Sequence, residues 1–147
     1  MKIAHTIVVM FVGSFFIQYF LMPPIMVNKR LYITNNIGKA YIASIMGLLM
    51  VLLEVMMHDQ QYKIISYNYY IILLVLLALF VYLYRSQVAI EDKQYLEAMI
   101  EHHSMAIFTS EEILKKTENY DVTKLAKNII QEQKDEIRTM QELVKKY

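Results

Sequence analysis

Cysteine and tryptophan are absent from this 147-residue chain, and glycine and proline are nearly so, with three and two. Without cysteine there is no disulfide and no thiolate metal site. So few turn-forming residues leave little means of cutting the chain into short strands, so long helices are expected. Charge is missing too, but only from part of the chain. Residues 1–90 contain six Lys or Arg (Lys2, Lys29, Arg30, Lys39, Lys63, Arg85) and two acids, Glu54 and Asp59. Residues 91–147 hold the other nine basic and twelve acidic residues. A formal net charge of +1 thus hides an apolar region followed by a polar, acidic one. No basic run or face survives the neighbouring acids, which argues against nucleic acid as a partner.

What is present is apolar length. Hydrophobic residues make up 56% of the chain, with eleven methionines. Residues 3–22 are apolar except for His5, Thr6, Ser14 and Gln18. Twenty residues at about 1.5 Å each give roughly 30 Å, the thickness of a bilayer core. Pro23-Pro24 should end that helix. A signal peptide is the rival reading, but no small-x-small cleavage site follows the long apolar run, so an uncleaved helix is expected. A polar link, 28–39, leads to a second span at about 40–57, interrupted by Glu54. A loop over 58–68 precedes a third span at about 69–84, with tyrosines at both ends and Arg85 at its exit, as suits a water–lipid boundary. Residues 1–88 therefore read as a transmembrane region with the lipid bilayer as partner. Positive charge near the membrane (Lys2, Lys63 and the amino terminus against Lys29, Arg30, Lys39 and Arg85) is too balanced to set the orientation.

Residues 91–147 read as an antiparallel helical hairpin, which makes the fold class all-α. The first helix is expected over Asp92–Lys116, with acids towards its start, and the second over Val122–Lys146; both end in lysines. Asp121 is the expected N-cap, after a turn at 117–121. At 100° per residue, one face of the first helix collects Tyr95, Leu96, Met99, His102, His103, Ala106, Ser110, Ile113 and Leu114. The opposite, solvated face collects Glu97, Glu101, Ser104, Glu112 and Lys115. The second helix presents Val122, Ala126, Ile130, Gln133, Ile137, Met140 and Val144, with Glu136 at the edge. Folding about residues 119–120 sets Met99 opposite Met140, His102 and His103 opposite Glu136 and Ile137, and Ala106 opposite Gln133. Met105 and Phe108 point away from this stripe and call for a further partner. A two-helix hairpin alone buries little, so homo-oligomerisation through it is also expected.

Two readings of this convergence stay open. Thioethers and imidazoles form a soft donor set that favours copper, Cu(I) in particular, over magnesium, calcium or a di-iron centre. Equally, methionines at helical spacing are commonly core, and Gln133 and Glu136 would satisfy two buried histidines without metal. A second candidate stripe, Met46, Met50 and Glu54 at four-residue spacing with Met57 and His58 beyond, lies in the middle span. There an acid costs about 2.5–3.5 kcal/mol and should face the bundle or be protonated. Ordinary packed or lipid-facing methionine with one protonated glutamate is the favoured account of that stripe.

The run Asp92–Ile107 contains Met99-x-x-His102-His103-x-x-Ala106, and Gln133-x-x-Glu136-Ile137-x-x-Met140 follows later. This pair of motifs resembles the ferritin-like family of unknown function numbered three hundred and five, over roughly residues 91–143. The methionine-rich spans ahead of it are similar to those of membrane-anchored members, and some members of the family are periplasmic copper-binding proteins. The resemblance implies a ferritin-like hairpin with Met99, His102, His103 and Met140 as copper ligands and Gln133 and Glu136 behind them. It further implies a bacterial inner membrane with the hairpin on the periplasmic, extracytoplasmic side. Many members carry the helical motif twice and this chain once, which again points to self-association. The expected function is copper sequestration or transfer in homeostasis or resistance, not an enzyme: no nucleophile triad, phosphate loop or di-iron motif is present. A non-metal helical interaction or assembly module of the membrane is the alternative.

Overall fold

Proline and apolar length dictate the first element. In the computed structural model, which describes residues 3–147, α1 runs over Ile3–Phe16 and loosens into a wider, π-type turn at Ile17–Leu21. Pro23 and Pro24 then open a four-residue helix, α2 (Pro23–Met26), where their missing N–H groups cost nothing. Without an N–H, Pro23 has no bond to give the carbonyl one turn back, a cause sufficient for the widened turn. Helical structure thus continues past the prolines to Met26, where the sequence had suggested a stop. A single 3-10 turn at Arg30–Tyr32 follows. Next come α3 (Ile37–Tyr62) and α4 (Tyr67–Arg85), then α5 (Asp92–Leu114) and α6 (Tyr120–Val144). Every regular element among the described residues is a helix.

The chain forms two compact units, one of the segment up to Leu21 with Ile37–Ala89, the other of Met22–Asn36 with Ile90–Tyr147. In the first, α3 packs against both α1 and α4. Its buried residues Leu48, Val51 and Val55 meet Leu73 of α4, with Ile7, Met10 and Phe11 of α1 packed alongside. Gly47 permits the approach of α1: a Cβ there would fall 2.8 Å from the Phe11 ring. Among the described residues, three helices are long and apolar enough to cross a membrane, Ile3–Met26, Ile37–Tyr62 and Tyr67–Arg85. The expected loop 58–68 shrinks, because α3 continues to Tyr62. Buried Asp59, read from sequence as a loop residue, accepts from Ser66 N at 2.6 Å and Ser66 Oγ at 2.7 Å. It thus ties the end of α3 to the start of α4.

In the second unit, α5 and α6 lie along one another. Tyr147 bonds to Asp92 at 2.8 Å, Glu111 lies 3.7 Å from Lys134, and His103 approaches Glu136 to 3.1 Å. Leu96, Ile100 and Ile107 of α5 and Ile137 and Met140 of α6 form the core, with Met99, Val144 and Tyr32 packed against it. The N-cap of α6 is Asn119, whose Oδ1 accepts from the backbone N–H groups of Asp121 and Val122, so Asp121 is a first-turn acid instead.

The buried face of α5 differs from the one read off the sequence. Tyr95, His102 and Ile113 are exposed, whereas Glu101 and Ser104, expected in solvent, are buried. The cause is residues 22–36, which cover that second face. Thr34 donates to Glu101 from its backbone N–H at 2.9 Å and to the Glu97 carbonyl from its hydroxyl at 2.9 Å. Asn28 N–H donates to Ser104 Oγ at 3.0 Å, and the Asn28 side chain donates to Glu111. The expected polar link is therefore a strap over α5.

Candidate metal centre

His103 occupies the middle of α5, one helical turn beyond Met99 and one before Ile107, so helix geometry aims it at α6. Its side chain is 16% exposed, and Nδ1 lies 3.1 Å from Glu136 Oε2. Distance alone does not make a hydrogen bond, however. This nitrogen is buried and has no partner in line with it. Glu136 is held by its own helix, with Gln133 Nε2 donating to the same Oε2 at 3.3 Å. Burial pushes the His103 imidazole below the ordinary histidine range, aided by the neighbouring His102, while Glu136 pulls the other way. The ring is therefore neutral near pH 7, the form that ligates a metal.

Along the helices, Met99 lies one turn before His103 on α5, and Met140 lies one turn beyond Glu136 on α6. Met140 is buried in the α5–α6 core, and Met99 is packed against that core from α5. His102 stands apart: it is exposed, with its ring centroid 6.2 Å from that of His103. Of the expected set, His103, Met99 and Met140 line the interior of the helix pair, and His102 lies on its outside. Among the described residues no three His, Asp, Glu or Cys side chains gather closely enough to hold a metal. Imidazole nitrogen and thioether sulfur, the donor types these residues carry, are soft ligands.

The middle-span stripe is less gathered. Met46 and Met57 are exposed, Met50 and Glu54 are half-buried, and the buried line of α3 runs through Ala43, Gly47, Val51 and Val55 beside them. His58 turns to Asp59, 3.3 Å away, and stacks on Tyr62 at 4.6 Å. Sequence reasoning missed the strap donors, Asn28 and Thr34. Their only signal was the Asn and Thr content of the link.

Residues 82–144 match the family described as Domain of unknown function (DUF305), which is of ferritin-like type. Across 139 residues the chain is 32% identical to "Uncharacterized protein L153" of Acanthamoeba polyphaga mimivirus, covering 94% of this chain and 90% of that protein. No solved structure matches it.

Proposed function

The chain belongs to the family of the mimivirus protein L153, and on that premise we propose that it is a membrane-anchored copper-binding protein that holds or hands on Cu(I) without turning over a substrate. The observation that carries this reading is His103 Nδ1, buried and without a hydrogen-bond partner, on a helix pair whose core contains Met140 and borders Met99. An unsatisfied buried polar atom costs about 1–3 kcal/mol, a cost that coordination removes. In this reading His103, Met99 and Met140 hold the ion between the helices of an antiparallel ferritin-like hairpin. Gln133 orients Glu136 behind them. His102, on the outer face, is available to a second copy of the hairpin. Copper would supply soft-acid coordination; the chain supplies a shielded pocket and a neutral imidazole.

The three apolar helices are the anchor in this proposal, with strap and hairpin together on the extracytoplasmic side. In a bacterium that is the periplasmic face of the inner membrane, and a viral relative means that the family is not confined to bacteria. Metal analysis of the full-length protein purified from copper-supplemented cells tests the reading. Copper should co-purify with the wild-type chain and be lost from His103→Ala. Wild-type protein free of copper, or a variant equally loaded, refutes it.

A second reading, a helical assembly module without metal, draws on the exposure of His102 and on the nearness of Glu136 to His103. It predicts that His103→Ala changes stability or self-association and leaves metal content untouched.

A further inference from the structure

Within the second unit, where the strap crosses the helix pair, lies a cleft of about 220 Å³. Its floor is apolar, formed by Ile107 and Ile137, which are only 1% and 2% exposed. Its rim is cationic. Lys134 and Arg138 come from successive turns of α6, Lys29 comes from the strap, and Gln141 adds an amide. The nearby acids answer these charges only in part. Glu111 stands 3.7 Å from Lys134 Nζ and also accepts from Asn28. Asp135 stands 4.0 Å from Arg138 and accepts from Gln131 at 2.7 Å. Three cations thus meet two carboxylates that already have other donors, in a part of the chain whose charge is otherwise acidic.

We propose that this cleft binds a phosphate-type anion, either free phosphate or the phosphomonoester headgroup of a lipid. The Arg138 guanidinium offers a planar fork matched to phosphate oxygens, and the two ammonium groups act as point charges beside it. Ile107 and Ile137 keep water from beneath the anion, which strengthens these interactions. The volume lies below the roughly 300 Å³ at which small-molecule pockets begin, which suits one phosphate group better than a nucleotide. Chain length makes a headgroup a feasible source: Lys29 is three residues beyond Met26, the end of the first apolar helix, and so within about 10 Å of it. Because Lys29 is on the strap and its companions are on α6, a bound anion also fastens the strap by linkage.

The test uses the full-length chain and reads protection of residues 28–36 from hydrogen exchange. One arm titrates inorganic phosphate into protein in detergent. The other compares nanodiscs containing phosphatidic acid with nanodiscs of phosphatidylcholine alone. We expect saturable protection in at least one arm, and that arm identifies the source. Lys29→Gln and Arg138→Gln should each weaken it by about tenfold, the scale of one charge-assisted hydrogen bond. Lys146→Gln, an equal charge change outside the cleft, should leave it unchanged. No saturable protection in either arm, or equal weakening by Lys146→Gln, overturns the proposal.

Discussion

Ile107 and Ile137 in the helix pair are almost completely hidden, whereas Val12 of α1 and Val75 of α4 are 58% and 62% exposed. In the helix pair, Leu96, Ile100, Ile107, Ile137 and Met140 turn to a shared core, and most charges, the strapped Glu101 apart, turn outward. In the three-helix unit the arrangement is apolar on both sides. Leu48, Val51 and Val55 meet their neighbours inside, and Val8, Ile71, Leu74 and Val75 stand outside. A contiguous exposed apolar surface of that kind is stable only where another apolar medium covers it. If the proposed bilayer is that medium, the same type of substitution should have different consequences in the two units.

The largest expected effect tests the watery half. Ile137→Ala removes a side chain from the helix-pair core and should cost about 2–5 kcal/mol. Hydrogen exchange should show α5 and α6 opening while α3 keeps its protection. The sharpest contrast comes next. Val75→Asp, at an exposed position, should cost about 2.5–3.5 kcal/mol of membrane insertion, read by carbonate extraction or glycosylation mapping. Val122→Asp, at an exposed position of α6, should change stability by no more than about 0.5 kcal/mol. Similar small effects at both sites would remove the case for a bilayer around α4.

A smaller effect probes the strap. Glu101→Ala removes a buried acceptor of the Thr34 N–H and should cost about 1–3 kcal/mol, seen as faster exchange or proteolysis within residues 28–36. The smallest concerns pH. The His103 pKa is lowered in the folded state, chiefly by burial, so the unfolded chain binds the proton more readily. Its contribution to stability is present above the ordinary value of 6.5 and is lost as pH falls below it. Thermal melts between pH 7 and pH 5 should show this component, and His103→Gln should remove it.

Long-period features were legible in the sequence, and tertiary cover was not. Apolar runs and charge placement gave all three long apolar helices and both amphipathic ones. The complementary spacing of the two motifs put His103 opposite Glu136, where the two side chains are found. The face of α5 could not be read correctly from α5 alone. Glu101 and Ser104 look solvated by type, and they are buried because a segment about seventy residues earlier supplies their hydrogen-bond donors. Asn119 and Asp121 are both good N-caps, and only the backbone geometry chose between them. His58 and Asp59 read as loop residues because they are polar, yet the Asp59–Ser66 contacts keep them in α3. Nor did spacing separate His102 from His103: adjacent residues are 100° apart on a helix, enough to send one outward and the other in.

The measurement closest to the centre of this account is a Cu(I) competition titration of the full-length protein in detergent, with His103→Ala and Met140→Leu alongside. Leucine keeps the volume of Met140 and removes only the sulfur, so the core survives. The account predicts wild-type binding at least about tenfold tighter than either variant. Equal affinities across the three proteins would contradict it.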